Sequence, residues 1–291
     1  MSIPPQKPSR PFSKEGKRPF GKGKPVYGKP HQFRKPEKPV PATLTGDRPK
    51  ALTHQPKPEN DLIYGIHSAA AVLNNPKRQI VHVWATENGF NRLKEEEGVA
   101  IAVTPEIVHP RILDHMLTGQ DAVHQGVVVE AKSLPQPRLD QIPREGMLVI
   151  LDQVTDPHNV GAILRSCAAF GVTAMVTTAR HAPHETGVFF KSASGAYESV
   201  PVVRVTNLGR ALEELKGYGF TLLGLDSEAP LVIGDAPKTR PLALVLGAEG
   251  KGLRQKTRET CHVVARLDMP GTIKSLNVSI ATAVSLYALL N

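Results

Sequence analysis

The stretch that decides the fold is LGAEGKGL at residues Leu246–Leu253, followed after a connecting strand by MPGTIKSLNVSIATAVSLYALL at residues Met269–Leu290. In each part, a polar loop lies between an apolar, strand-like run and a helix-like run. Ligand sites of α/β proteins lie just outside the carboxyl ends of such strands. The two loops, with a third at Asp152–Arg165, therefore predict the ligand-binding edge of a sheet.

Residues 147–291 alternate between apolar runs and helix-like segments. The first run, MLVILDQV, is almost continuously apolar, which is typical of a strand buried on both faces of a parallel sheet. Further strands are predicted at 174–178, 200–205, 221–226, 242–247 and 262–267. Helices are predicted at 160–170, 186–196, 208–217, 250–259 and 276–290. The alternation predicts an α/β fold with a parallel sheet covered by helices on both faces.

Residues 61–132 predict a separate, smaller α/β domain. Strands are predicted at DLIY and at 79–86, 99–103 and 126–132. Helices are predicted from near His67 to Asn74, at 90–97 and at 105–117. Residues 133–146 contain three prolines and few apolar residues, which is typical of a linker.

The first sixty residues differ in composition from the rest. They contain 14 of the 36 lysines and arginines, 4 of the 27 acidic residues and 13 of the 26 prolines. This composition predicts a disordered basic tail, since proline removes amide donors and restricts its neighbour. Aromatic residues interleaved with the cations suit RNA contact, while a solubilising tail without a partner is the alternative.

Composition also excludes several classes of protein. The two cysteines, Cys167 and Cys261, form no CxxC pair, which argues against a disulfide framework or zinc site and favours a reducing, cytoplasmic location. The longest apolar runs are too short to cross a bilayer, and the basic N-terminus lacks the apolar core of a signal peptide. We therefore expect no membrane partner.

The loop at Asp152–Arg165 opens the first of the predicted helices. Asp156–Pro157 is expected to block helix, so that Asn159 becomes the N-cap of a helix beginning at Val160. Arg165 projects near the first two turns. It is either a solvated surface residue or a group that meets a phosphate or substrate at the strand ends.

The other two loops can be read as structural or as ligand-binding. Glycines at 247, 250 and 252 allow close backbone approach, but the GxxGK spacing followed by glycine fails the Walker pattern, which argues against nucleotide hydrolysis. Glu249 is an exposed acceptor that could fix an arginine or bind a hydroxyl. Ser275 or Asn277 can cap the last helix, or the two could grip a small ligand.

Together, in this order, the three loops resemble the motifs of the SpoU (TrmH-like) family of RNA ribose 2′-O-methyltransferases, within the SPOUT superfamily. The matching segments are NVGAILR at Asn159–Arg165, LGAEGKGL at Leu246–Leu253 and SLNVS at Ser275–Ser279. Residues 61–132 look like the ribosomal-protein-like substrate-binding domain that precedes the catalytic domain in the RlmB-like, ribosomal-RNA branch. The basic tail lies outside the resemblance.

The resemblance implies a C-terminal trefoil knot, S-adenosylmethionine bound in the knotted crevice, and a homodimer with its active site near the subunit interface. The implied cofactor contacts, mostly through backbone groups, are Gly247, Leu267, Met269 and Leu276. The implied catalytic residues are Asn159, Arg165, Glu249, Ser275 and Asn277. No metal is expected, because methyl transfer needs none. The chain departs from the family at Leu267–Pro270, where Asp268 replaces a proline, and at Lys274, where a small residue is common.

The implied activity is methyl transfer to a ribose 2′-hydroxyl of structured RNA. Ribosomal RNA of the 23S type is the expected substrate, with guanosine as a candidate target. We hypothesise that Arg165, held by Glu249 and Asn159, positions the RNA and assists deprotonation, although a guanidinium is a poor base. The alternatives are a transfer-RNA 2′-O-methyltransferase, a base methyltransferase, and a non-catalytic RNA-binding ribosome-assembly factor.

Overall fold

The computed structural model describes residues 52–95, 103–117, 122–180 and 185–290. The predicted tail up to residue 51 and nearly all of the predicted strand at 99–103 lie outside these ranges. Among the described helices, none has both the length and the apolarity needed to span a membrane.

The small domain is built on a four-stranded sheet. Its strands are β1 (Asp61–Tyr64), β2 (Ile80–Ala85), β3 (Glu106–Ile107) and β4 (Val127–Ala131), in the spatial order β1-β4-β2-β3. Its helices are α1 (Ile66–Asn74), α2 (Glu87–Glu95) and α3 (Pro110–Met116). The helix predicted from residue 105 begins later, because residues 106–107 pair with β2 and His109 Nδ1 caps α3 by accepting from Arg111 N at 3.3 Å.

The prediction of disorder up to residue 60 is wrong for its last part, because residues 52–60 lie on the small domain. Glu130 on β4 is fully buried and requires partners. It accepts hydrogen bonds from Lys57 N at 2.9 Å and from Asn60 Nδ2, and it bonds His54 Nε2 at 2.6 Å. Burial raises the pKa of Glu130, but these hydrogen bonds outweigh it and hold the pKa below its ordinary value.

The larger domain confirms the predicted parallel sheet. Its strands are β5 (Met147–Asp152), β6 (Ala174–Thr178), β7 (Val202–Val205), β8 (Thr221–Leu225), β9 (Leu231–Val232), β10 (Leu242–Gly247) and β11 (Val263–Arg266). The spatial order is β7-β6-β5-β10-β8-β11-β9, and every neighbouring pair is parallel. The two-residue strand β9 was not predicted.

Helices cover both faces of this sheet. They are α4 (Pro157–Ala169), α5 (Gly187–Ala193), α6 (Leu208–Gly217), α7 (Gln255–Thr260) and α8 (Val278–Leu290). One core cluster joins alternate residues of the strands to α4, α5 and α8, and the other joins the opposite face to α6. The predicted linker contributes to the second cluster, since Leu139 and Ile142 are buried there beside a 3₁₀ helix at 139–141.

Arg78 joins the two domains through buried polar contacts. Its side chain is fully buried and donates to Asp61 Oδ2 at 2.8 Å within the small domain. Its Nε and Nη2 donate to the Glu198 carboxylate at 3.0–3.1 Å, beyond the end of α5. Ser68 on α1 adds a second link by donating to Phe190 O at 3.0 Å. The arginine therefore neutralises carboxylates from both sides of the domain boundary.

We expect Arg78→Met to lower the free energy of unfolding by about 3–5 kcal/mol, because it leaves two buried carboxylates without their cation. The matched control is Lys77→Met, where an exposed neighbouring cation is removed and a change within about 0.5 kcal/mol is expected. Urea unfolding followed by circular dichroism measures both. Equal stability of the two variants would contradict the role given to Arg78.

Candidate active site

The candidate site lies where the strand order of the large sheet changes direction. β5 is central, with β6 and β7 on one side and β10, β8 and β11 on the other. The parallel register sets Gly247 at the end of β10 beside Asp152 at the end of β5. Such a switch point opens a crevice outside the carboxyl ends of the strands.

A tight turn at residues 247–253 shapes one wall of this crevice. Gly252 N donates to Ala248 O at 2.9 Å, so the chain folds back immediately after β10. A Cβ on Gly247 would lie 2.0 Å from the carbonyl carbon of Gly252, which leaves room only for glycine. Gly250 and Gly252 have φ of 76° and 64°, in the left-handed region. The predicted helix at 250–259 begins only at Gln255 because of this turn.

Asp152 and Arg254 hold the turn against β5. The Asp152 side chain is buried, and its Oδ1 accepts from Arg254 Nε at 2.7 Å. Its Oδ2 accepts from Arg254 N at 3.3 Å. Our reading of the sequence missed this pair. The signal was an aspartate at the end of a continuous apolar strand, where a buried carboxylate needs a cation.

All four predicted cofactor residues line one crevice of about 190 Å³. They are Gly247, Leu267, Met269 and Leu276. Ser275 and Glu249 line the same crevice. So do Leu225 at the end of β8 and Asp226 and Ser227 directly after it, for which the sequence predicted no role. The departure at residue 268 leaves the lining in place, since Asp268 is exposed and its neighbours at 267 and 269 face the crevice. Apolar walls with a few polar groups and backbone atoms suit a flat organic ligand.

A cluster of amides and a carboxylate lies beside this crevice. Asn277 Nδ2 donates to Asn159 Oδ1 at 2.9 Å, and Asn159 Nδ2 donates to Glu249 Oε2 at 3.4 Å. Asn277 Oδ1 in turn accepts from Ser279 N at 2.9 Å, as expected of a residue that caps the last helix. Glu249 is exposed and lines both the first crevice and a second one that Asn159 also lines. Three of the predicted catalytic residues are therefore brought together.

The prediction that Asn159 caps the first helix is wrong. α4 begins at Pro157, whose fixed φ suits the first helical position, and Asp156 Oδ1 caps the helix by accepting from His158 N at 3.0 Å. Because Asn159 lies inside the first turn, its side chain is available to Asn277 and Glu249.

Arg165 does not join the cluster. Its side chain is exposed and has no hydrogen bond or ion pair within the described ranges of the chain. Six residues separate it from Asn159, which places it roughly 9 Å further along α4 and on a different side of the helix. The predicted contact of Arg165 with Glu249 and Asn159 is therefore absent.

A parallel sheet with a ligand crevice at its switch point is the architecture of cofactor-binding α/β enzymes. Residues 146–287 match the model of the SpoU rRNA Methylase family, and residues 62–137 match the model described as RNA 2′-O ribose methyltransferase substrate binding. The chain belongs to the SpoU rRNA methylase family.

Within this family, the chain is similar to proteins named 23S rRNA (guanosine-2′-O-)-methyltransferase RlmB. It is 38% identical over 236 residues to the one from Pseudomonas syringae pv. tomato, covering 77% of this chain and 93% of the relative. It is 37% identical over 236 residues to the one from Pseudomonas putida, covering 77% and 94%. Among solved structures, it resembles the SpoU methyltransferase AviRb from Streptomyces viridochromogenes in complex with the cofactor AdoMet, with a TM-score of 0.66, 25% identity and coverage of 80% and 89%.

We expect Gly247→Ala to weaken S-adenosylmethionine binding by about 10-fold or more, because the new methyl group would force the turn at 247–253 open. Gly234→Ala is the control, since a Cβ there meets no atom within 4 Å. Isothermal titration calorimetry measures both affinities. Wild-type affinity in the Gly247 variant would contradict the part given to this turn.

Proposed function

We propose that the chain transfers a methyl group from S-adenosylmethionine to the 2′-hydroxyl of a guanosine in 23S ribosomal RNA. The observation that carries the proposal is the crevice lined by Gly247, Leu267, Met269 and Leu276, which shares Glu249 with the cluster formed by Asn159 and Asn277. The family of the chain and the names of its relatives support the same reaction.

The crevice residues fit the cofactor. Leu246, Leu267 and Leu276 offer apolar surface to an adenine ring, and the backbone at 247–250 and 267–269 offers donors and acceptors at its edge. Glu249 and Asp226, of which Asp226 is also paired with Arg258 at 3.0 Å, add carboxylates to the lining that would favour a ligand with a positive charge. When bound, the cofactor supplies a methyl group on a positively charged sulfur.

The cluster beside the crevice activates and orients the ribose. A 2′-hydroxyl is a weak nucleophile and must lose its proton as it attacks. Glu249, steadied by Asn159, accepts a hydrogen bond from the hydroxyl, orients it and takes up its proton as the oxygen attacks the methyl group, while Ser275 lines the same crevice. Asn277 holds Asn159 in place and so fixes the orientation of the carboxylate.

Arg165 contributes by positioning and charge rather than by abstracting the proton, because its pKa is too high for a base. Its exposed side chain is available to an RNA phosphate, which agrees with its lack of partners in the described residues. By pairing with a phosphate of the bound RNA, Arg165 would help to fix the position of the ribose relative to Glu249.

The proposal includes the trefoil knot. β11 lies near one edge of the sheet, and the exposed segment 267–277 follows it. This segment leads the chain back to the centre of the sheet, where α8 packs against α4 and β10. That return alongside the turn at 247–253 supports a chain end threaded past another loop.

A cytoplasmic location is also proposed, in keeping with the two free thiols at Cys167 and Cys261.

A homodimer is proposed from the outward face of α8. Val284 is 45% exposed, and it shares the outer face with Ile280 and Tyr287 at helical spacing. Leu276, which lines the cofactor crevice, and Ile273 are exposed next to this face. A contiguous apolar surface of this kind needs a partner, and a second copy would place the interface beside the active site.

The test of the reaction is complementation of a deletion strain. We expect 2′-O-methylguanosine at one site of 23S RNA to disappear on deletion and to return with the wild-type gene, and we expect Arg165→Ala to lower the rate of methyl transfer by the purified protein by about 100-fold, because the RNA is no longer held in position. Arg144→Ala is the control, since this exposed arginine precedes β5 at the opposite edge of the sheet. Nucleoside mass spectrometry and S-adenosylmethionine affinity are measured together.

Each alternative has its own signature in that experiment. Normal turnover by the Arg165 variant, or loss of cofactor binding alone, would overturn the assignment of Arg165. If the deletion removes a 2′-O-methylation from transfer RNA, the substrate is transfer RNA and not 23S RNA. If it removes a base methylation, the reaction is base methylation and not ribose methylation. No lost methylation in any RNA, together with tight RNA binding, would favour the assembly factor.

We expect Val284→Asp to yield a monomer of about 31.5 kDa where the wild type has twice that mass, because a charge is introduced into the apolar face of α8. Val123→Asp is the control, since Val123 is 68% exposed but lies in the small domain. Light scattering coupled to size-exclusion chromatography gives the masses. A monomeric wild type would refute the proposed interface.

A further inference from the structure

A third crevice, of about 340 Å³, lies on the same edge of the large sheet, at the ends of β6 and β7. We call it the basic crevice. Six of its lining residues carry the inference: Thr178, Arg180, Asn207, Arg254, Lys256 and Thr257. None of the residues that carry the proposed methyl transfer lines it.

Cations face this crevice from two sides. Arg180 follows β6 and Lys256 lies in the first turn of α7; both are exposed, and neither has an ion pair within the described part of the chain. A Cβ placed on Gly209 would lie 3.9 Å from Lys256 Cε, so the lysine stem reaches over the start of α6. Arg254, already bonded to Asp152, adds a partly neutralised charge. The crevice therefore favours an anion.

The start of α6 adds backbone donors. In this ten-residue helix, Asn207 Oδ1 accepts from Arg210 N at 3.1 Å. The amides of Leu208 and Gly209, which also line the crevice, precede the first intrahelical hydrogen bond and have no intrahelical acceptor. Such amides, together with the helix dipole, bind phosphate groups.

Thr178 supplies an independent sign of a ligand. It is the last residue of β6, only 5% exposed, and its Oγ1 is buried without a hydrogen-bond partner within the described ranges. It lies on the face of the sheet that packs against α6, as Val176 does. A buried hydroxyl without a partner is costly, and a phosphate oxygen would accept a hydrogen bond from it.

We propose that the basic crevice binds a backbone phosphate of the RNA substrate, on a nucleotide near the one that is methylated. The inference rests on the proposed function. β6 is separated from β10 only by β5, so the crevice lies roughly 10 Å from the cluster at Glu249. Among the described residues that line it none is aromatic, which favours a phosphate over a stacked base.

The test uses the full chain and transcribed, unmodified 23S RNA. Lys256→Gln and Arg180→Gln should each raise the KM for RNA several-fold and reduce the slope of log Kobs against log salt by about 0.7–0.9. The affinity for S-adenosylmethionine should not change. Lys238→Gln is the matched control, because it removes the same exposed charge from the loop before β10, at the opposite edge.

Thr178 gives a second readout without a change of charge. Thr178→Val should weaken RNA binding by about 10-fold while the salt slope stays the same, and Thr178→Ser should restore binding. If Lys256→Gln and Arg180→Gln give the same KM for RNA and the same salt slope as Lys238→Gln, while the wild type methylates the RNA, the inferred role of the basic crevice is wrong and the proposed function stands. A wild type that methylates no RNA would overturn the proposed function instead. If these variants bind inorganic phosphate more weakly but bind RNA as the wild type does, the crevice is a site for free anions, which would also overturn the inference.

Discussion

The parallel pairing of β5 with β10 is the constraint on which the rest of the large domain depends. It runs in register from Met147 beside Leu242 to Asp152 beside Gly247, so the two strands end together. Glu249 lies just after the end of β10, and Asn159 lies in the first turn of the helix that follows β5. The turn at 247–253 can lie there only because Gly247 lacks a side chain, and the buried Asp152 holds it through Arg254. A shift of this register would separate the crevice from the cluster at Asn159.

The same edge carries three environments in spatial order. The apolar crevice lies beyond β10, the amides and the carboxylate of Glu249 lie between β10 and β5, and the basic crevice lies beyond β6. This order matches a reaction in which an aromatic cofactor, a sugar hydroxyl and a polyanionic backbone meet along one line. The sheet separates them by its own strand spacing, without any need for a flexible element.

Sequence patterns could predict the sheet and the turn at 247–253 because both follow from local signals, whereas the cofactor residues Leu267, Met269 and Leu276 were implied only by the family resemblance. Near-continuous apolar runs mark strands buried on two faces, and glycines at 247, 250 and 252 mark a turn that other residues cannot form. Two details depended on tertiary contacts: Val284 faces outward, and residues 52–60 are held by the buried Glu130. Composition could not show them, because each depends on residues far away in the sequence. The start of α4 at Pro157 is different, because proline at the first helical position after an aspartate cap is a local signal that we interpreted as a helix block.

Arg78 has a consequence for how a target nucleotide is chosen. Its guanidinium is buried between Asp61 and Glu198 and so holds the small domain against the large one. We infer that an RNA bound by the small domain can present to the active site only a nucleotide at the distance that this boundary sets. The fold of the RNA would then contribute to the choice of the target nucleotide, in addition to its base sequence.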